Sequence, residues 1–269
     1  MIINSQRTLY GLEVQANALV NKPYTPRVNT TLNEKYNTNP TEPVGGDTTY
    51  AIKYLAIGVG GVPTTSANGG YGYSQHSPMD AALFEQVPYI TREIALDLTP
   101  AEQSKYALRV PVTIGGVQYY QYFLKRIVDT DIATDSYVIT NSTGGASLTI
   151  LTTNTPEHLN PLPRSVDFVL NPTAQFVSRN IKLKFNLTPT ELVDINNSID
   201  IIYGTNSGKQ IKEIGICGGL DKTIGTINEA IHVQVYFHVG ISLDTKLSYD
   251  PVIGYSRAIE LGGAESIYI

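Results

Sequence analysis

The chain has 269 residues, of which 42% are hydrophobic, enough for a real core in one large β domain or two smaller ones and too many for global disorder. Charged residues make up only 16% and the net charge is −5, which excludes the basic stripe that nucleic-acid binding demands, and no apolar run reaches the roughly 18 residues of a membrane span. The single cysteine, Cys217, excludes an intrachain disulfide and sits in an apolar run as a buried small residue.

Met1-Ile2-Ile3-Asn4-Ser5-Gln6-Arg7 lacks a basic region followed by the apolar region of a secretory signal, so synthesis in a cytoplasm is expected. Leu12 to Val20 predicts a short helix with Leu12, Ala16 and Leu19 on one face, ended by Pro23 and Pro26. Asn21 to Asp47 has no strand or helix period and is rich in Asn, Thr and Pro. It reads as an extended arm, and a neighbouring chain is the simplest thing to hold it. Thr49 to Val59 predicts a strand that ends at Gly58 and Gly60. Gly61 to Met79 is a second irregular insertion, with Tyr71 and Tyr73 in a Gly/Tyr-rich centre suited to contacts.

Ile90 to Leu98 alternates as a strand, and Thr99-Pro100-Ala101-Glu102 follows as a helix-start signal that leads only to a short turn. Leu108–Ile114 and Val117–Val128 predict a hairpin around Gly115-Gly116, its second strand carrying Tyr119, Tyr120 and Tyr122. Tyr137–Asn141 and Ser147–Thr152 predict another around Gly144-Gly145. The three prolines between Thr153 and Pro163 mark a boundary. Ser165–Leu170 and Asn180–Leu187 predict strands, the second with Ile181, Leu183, Phe185 and Leu187 in period two.

Thr188-Pro189-Thr190-Glu191 repeats the capping text, and Leu192, Ile195, Ile199 and Ile202 then share one face of a helix over residues 189–203, closed by Gly204. The phrases beginning at Leu96 and Phe185 match as a weak duplication or as reuse of a common strand-to-helix junction. Gln210–Cys217, Ala230–Leu243 and Ser256–Leu261 predict the remaining strands, with Asp221–Asn228 as a polar connector.

The chain is therefore expected to be mainly β in an α+β sense, with β-sandwich-like antiparallel sheets, one clear helix and long extended loops. Its expected parts are residues 1–50 (short helix and arm), 51–152 (a β subdomain with the 61–79 insertion) and 164–269 (a second β subdomain), or one continuous domain.

Chemistry-bearing motifs are sparse. Gly58-Val59-Gly60-Gly61-Val62-Pro63 resembles a dinucleotide fingerprint only superficially, because Pro63 replaces the third glycine and no helix follows. His232 and His238 lie on one face of a strand roughly 20 Å apart, too far for one metal, and His76 and His158 sit in loops without a ligand pair. Asp129, Asp131 and Asp135 read as a turn, since the glycine and late glutamate of a calcium loop are missing. No nucleophile elbow is present. No catalytic residue, cofactor or metal site is expected. The candidate interface residues are Tyr24, Tyr36, Tyr50, Tyr71, Tyr73, Tyr119 and Tyr122.

Three phrases stand out: Ile57-Gly58-Val59-Gly60, the run Leu83 through Arg92, and Glu213-Ile214-Gly215. They resemble strand text of structural proteins of tailed bacteriophages, of the neck or collar, tail and baseplate-associated kinds. The resemblance implies a virion component without enzymatic activity, made in the host cytoplasm and present as a homo-oligomer beside other virion proteins. No nucleic acid, membrane or small-molecule substrate is expected as a partner. The alternatives are a receptor- or glycan-binding β module that uses the tyrosines, and an enzyme on an unrecognised β scaffold.

Overall fold

The period-two segments of the sequence become strands of antiparallel sheets, joined by few helices, as a mainly β chain requires. The computed structural model describes residues 2–39, 50–60, 63–65, 71–73, 76–142, 145–150, 159, 175–204, 209, 211–224, 227–241, 255–262 and 267–268. In chain order these hold β1 (Ile2–Arg7), α1 (Leu9–Leu19), α2 (Leu32–Lys35), β2 (Ala51–Gly58), β3 (Pro63–Thr65), β4 (Tyr71–Tyr73), β5 (Gln86–Val87) and β6 (Ile90–Glu93). Next come α3 (Pro100–Gln103), β7 (Tyr106–Ile114), β8 (Val117–Arg126), β9 (Ile132–Ser142), β10 (Gly145–Ile150), β11 (Gln175–Leu187) and α4 (Pro189–Tyr203). The last strands are β12 (Glu213–Ile224), β13 (Ile227–Ile241), β14 (Tyr255–Gly262) and β15 (Ile267–Tyr268). None of the described helices is long and apolar enough to cross a membrane.

The chain divides into two units, Met1–Ile127 with Leu187–Tyr255, and Val128–Asn186 with Ser256–Ile269. The division corrects the expected parts. Residues 128–186 interrupt the first unit, and long-range strand pairing rather than the proline-rich stretch defines the boundary. That stretch lies outside the described residues apart from Leu159, as does the expected strand Ser165–Leu170. The second unit is a five-stranded antiparallel sheet in which β9 lies between β10 and β11. In β11 Leu183, Phe185 and Leu187 are buried while Lys184 is exposed, so the period-two pattern there marks a true inner face.

The first unit is one eight-stranded sheet in the order β1-β13-β12-β2-β8-β6, with β5 on β2 and β7 on β8. β2 meets β8 directly only at Tyr54–Arg126 and Leu55–Lys125, because β5 and β6 occupy the remaining edges. The sheet folds over at this short junction and β7 comes to lie against β13. Tyr54, Ala56, Ala107, Val110, Phe123, Leu124, Cys217, Val233 and Val235 fill the space enclosed. The sandwich-like core thus comes from two parts of one sheet. Burying each larger side chain there contributes about 1.5–3 kcal/mol. The β7–β8 turn takes φ of 58° at Gly115 and 85° at Gly116, the two left-handed positions that a type I′ hairpin needs.

Two expected boundaries differ. The strand predicted over Ile90–Leu98 stops at Glu93 and turns into a 3-10 segment at Ile94–Leu96, leaving Leu96 70% exposed. Asp97 causes the break, since its carboxylate accepts the Leu98 N–H at 2.8 Å and the Tyr122 hydroxyl at 2.6 Å, offering the backbone an alternative to the ladder. The predicted connector Asp221–Asn228 instead extends the β12–β13 hairpin through the pairs Asp221–Ala230, Lys222–Glu229 and Thr223–Asn228. Its polar residues suit an exposed ribbon, and Asp221 is held there by Tyr54 at 2.6 Å, by Lys53 at 3.2 Å and by Arg126.

β13 carries two bulges, one placing Tyr236 opposite no partner and one around His232, whose φ is 53°. The Tyr236 ring lies over Gly218, where any Cβ would clash with it. Both bulges free backbone groups that would otherwise join the ladder. At the first, Thr8 donates its N–H to the Tyr236 carbonyl at 2.9 Å and its hydroxyl to the Val235 carbonyl at 2.6 Å. The same hydroxyl accepts the Gly11 N–H at 3.1 Å and so starts α1. At the second, the buried Asn33 side chain donates to the Ala230 carbonyl at 2.8 Å and accepts the Val233 N–H at 2.9 Å.

These contacts correct the reading of an arm held by a neighbouring chain. Within residues 21–39, Tyr24, Thr30 and Asn33 bond to the chain's own β13, and Tyr36 stacks on Phe123 of β8. Leu32 is fully buried, Thr30 accepts from Gln234 at 2.8 Å, and α2 has a complete capping box between Thr31 and Glu34. Residues 40–49 lie outside the description, as do residues 61–62, 66–70 and 74–75 of the 61–79 insertion, in which β3 and β4 form a small hairpin. The face of α1 is also reversed. Tyr10 and Val14 point inward, while Leu12 is 44% and Leu19 82% exposed. The Thr8 cap and the bond from the Tyr10 hydroxyl to the Met79 carbonyl at 2.7 Å fix that rotation.

The helix over 189–203 forms as expected, with a capping box from Thr188 to Glu191, Leu192, Ile195 and Ile199 buried, and Gly204 at φ 85° closing it. Ion pairs of 2.7 Å from Arg92 to Asp194 and from Lys125 to Glu191 tie it to the sheet. Burial pushes the Glu191 carboxyl up, but Lys125 and the Thr188 N–H outweigh that and hold it below the usual range. A capping box also forms at Thr99 and Glu102, yet α3 ends after four residues, so the two matched phrases share a cap and not a following helix.

Thr8→Val keeps the shape but deletes both the cap and the bond to the bulge. Urea denaturation is expected to show a loss of about 1–3 kcal/mol with an unchanged m-value.

Candidate functional site

The three phrases singled out in the sequence meet at one buried carboxylate. Glu213 opens β12 directly opposite Gly58 at the end of β2, and its residue is 3% exposed. Its two oxygens accept the backbone N–H of Phe84 at 3.1 Å and of Glu85 at 3.0 Å. The Val59 N–H donates to the Glu85 carbonyl at 2.9 Å, which clips the same loop to the end of β2. Glycine is required on this side for lack of room. A Cβ on Gly58 would overlap the Glu213 carboxylate, and one on Gly60 would sit 2.7 Å from the Glu85 nitrogen. Leu83, from the same loop, is buried in the core cluster.

His76 completes the cluster. Its Nε2 lies 2.9 Å from a Glu213 oxygen and its Nδ1 3.2 Å from Asp80 Oδ2. The Asp80 oxygen also accepts the Ser77 N–H at 2.9 Å. The His76 ring stacks on Phe84 at 3.9 Å and on His238 at 3.7 Å, with interplanar angles of 12° and 10°. His238 reaches this place from β13, and its Nε2 lies 3.0 Å from the Asp80 carbonyl.

Burial alone would raise the Glu213 pKa, but the hydrogen bonds from His76, Glu85 and Phe84 win, and the carboxyl stays below the ordinary range. His238 is pushed down to about 4, first by burial and then by the charge of His76. The expectation that His76 lacks ligand-type neighbours is thus corrected, because the loop folds back onto β12 and β13. The bulge at Tyr236 also breaks the two-residue period between His232 and His238, so their expected common face does not persist. No group of three or more His, Cys, Asp or Glu among the described residues is arranged to hold a metal ion. The polar atoms of the cluster face one another and the rings cover them. The arrangement therefore clamps a loop.

The tyrosines divide differently from the interface expectation. Tyr122 is 2% exposed and donates to Asp97, and Tyr50 is 8% exposed, so both belong to the interior. Tyr24 packs edge-on against Tyr50 at 5.2 Å and donates to Gln234 at 2.9 Å, and Tyr36 stacks on Phe123 at 4.1 Å. These ring contacts take four of the seven candidates out of a simple surface role. Tyr119 is half-buried opposite Glu93. Tyr71 and Tyr73 lie on β4, and their side chains are outside the described residues. Asp129–Asp131 form a 3-10 turn ahead of β9, exposed at Asp129 and Thr130. A cleft between Gln103, Arg109, Tyr122, Asn228 and Glu229 encloses about 30 Å³, the room of about one water molecule.

Residues 2–265 match the model of DUF7208, a family of unknown function, and the chain belongs to that family. No curated protein and no solved structure matches it.

Steric coupling between Gly58 and Glu213 can be measured. Gly58→Ala is expected to cost about 2 kcal/mol or more in the intact chain and at least about 1 kcal/mol less in a Glu213→Ser background. Equal costs in both backgrounds, read from urea unfolding, would show that the carboxylate does not require the glycine.

Proposed function

We propose that this chain is a non-enzymatic structural subunit that works by assembling with copies of itself and with other proteins. The resemblance of its three phrases suggests the particle, a tailed bacteriophage, with a place in the neck, tail or baseplate. The observation that carries the reading is the outer face of α1. Leu12, Ala16 and Leu19 are all exposed on this short helix and Val20 at its C-cap, with Leu19 at 82% and Val20 at 60%. β1 ends the sheet order, and no described strand pairs with its outer edge. An exposed apolar helix face and an open strand edge each suit burial against another subunit. A second copy is the simplest occupant, since an antiparallel strand pair is compatible with two-fold symmetry. The low share of charged side chains, 16%, favours lasting packed contacts over steered, transient ones.

The Leu12→Glu/Leu19→Glu double variant tests this reading. The unsubstituted chain is expected to associate with rising concentration in sedimentation velocity. The variant is expected to keep its circular dichroism and remain monomeric. A parent chain that stays monomeric at its highest soluble concentration would count against self-assembly. Its absence from purified virions by mass spectrometry would count against the particle.

A further inference from the structure

We propose that the face-to-face pair of His76 and His238 is an acid-sensitive latch, which holds the 76–85 loop against β12 and β13 near neutral pH and releases it on acidification. The inference does not depend on the assembly reading.

The latch follows from hydrogen-bond chemistry. The Asp80 carbonyl can only accept, so the His238 Nε2 3.0 Å away carries the ring proton and Nδ1 is bare. That Nδ1 is buried and has no hydrogen-bond partner among the described residues. A second proton must land there and would create a buried N–H without an acceptor. It would also place a charge in a buried ring stacked 3.7 Å from the His76 ring, away from water.

The other titratable groups around the pair are few. Glu213 approaches from β12 and Asp80 from the loop itself. Lys35 on α2 is within electrostatic reach of Glu213, and Tyr10 on α1 within reach of Asp80. The negative groups, Glu213 and Asp80, are already engaged by His76, and neither oxygen is placed to accept from Nδ1 of His238.

The sign follows from linkage. The closed loop binds the His238 proton only near pH 4, whereas a released histidine binds it near 6.5. Between those values the open form takes up the proton and the closed form does not, so closure weakens as pH falls through this window. With those two values the open-to-closed ratio rises about twentyfold between pH 7 and pH 5. Glu213, Glu34, Glu191 and Asp221, all held below their ordinary ranges, lose their contributions only at lower pH. His232 is also depressed by burial and serves as the control histidine.

The chain has no tryptophan, so Phe84→Trp places a single fluorescent reporter against His76. Its emission is expected to change between pH 6.5 and 4.5 while far-UV circular dichroism stays constant. Adding His238→Gln, which keeps an amide donor for the Asp80 carbonyl but cannot titrate, is expected to abolish that change. Adding His232→Gln is expected to leave it in place. In the unsubstituted chain, hydrogen exchange at the Phe84 and Glu85 amides, corrected for intrinsic rates, is expected to rise about twentyfold from pH 7 to pH 5. An emission change that survives His238→Gln, or protection of those amides that is flat over this range, would overturn the proposal.

Discussion

The satisfaction of the bulged backbone of β13 is the constraint from which the rest of the first unit follows. A strand with two bulges has carbonyl and amide groups that its neighbour cannot pair, and in a buried place each unpaired group costs about 1–3 kcal/mol. Thr8 and Asn33 meet that demand. Thr8 thereby fixes where α1 begins, and Asn33 fixes α2 over the core with Leu32 beneath it. The polar, proline-rich text that surrounds them needs no helical or strand period, because its order comes from a few side-chain bonds to one strand. That is why a segment without regular structure has a defined path on its own chain.

The Glu213 cluster solves a related problem with a charge. A carboxylate that is 3% exposed demands donors, and two loop amides and a histidine provide them. Once those donors are in place the space around the carboxylate is used up, and Gly58 and Gly60 follow as steric necessities. The glycines that look at first like a phosphate-binding loop are thus an outcome of burying an acid.

Much of this architecture is legible in local text. Gly115-Gly116 announces its hairpin, and Thr188-Pro189 with Glu191 and a four-residue apolar spacing announces α4, because caps and turns are decided by neighbouring residues. The three phrases around Gly58, Leu83 and Glu213 are recognisable as a set, but their convergence is not, since His76 and Glu213 lie 137 positions apart and no local rule joins them. The strand over Ile94–Leu98 fails because a single carboxylate, Asp97, captures the backbone that an alternating pattern would have paired. The Lys222–Glu229 ribbon is missed for the opposite reason, since a hairpin exposed on both faces has no apolar alternation to show. The tyrosines mislead because an amphipathic ring suits an interface and a core alike, and only the depth of the fold decides. Tyr50 is drawn inward among Val14, Leu220, Ile231 and Tyr236, and Tyr122 by its bond to Asp97.

The reversed face of α1 connects these points to function. By its apolar spacing alone, the helix would turn Leu12 and Leu19 to the core. Here the Thr8 cap and the Tyr10–Met79 bond set the rotation first, and they direct Tyr10 and Val14 to the sheet. The apolar stripe is left outside as a consequence. The cap at Thr8 is itself set by the bulge in β13, so the exposure of Leu12 and Leu19 traces back to a backbone group that the strand ladder leaves unpaired.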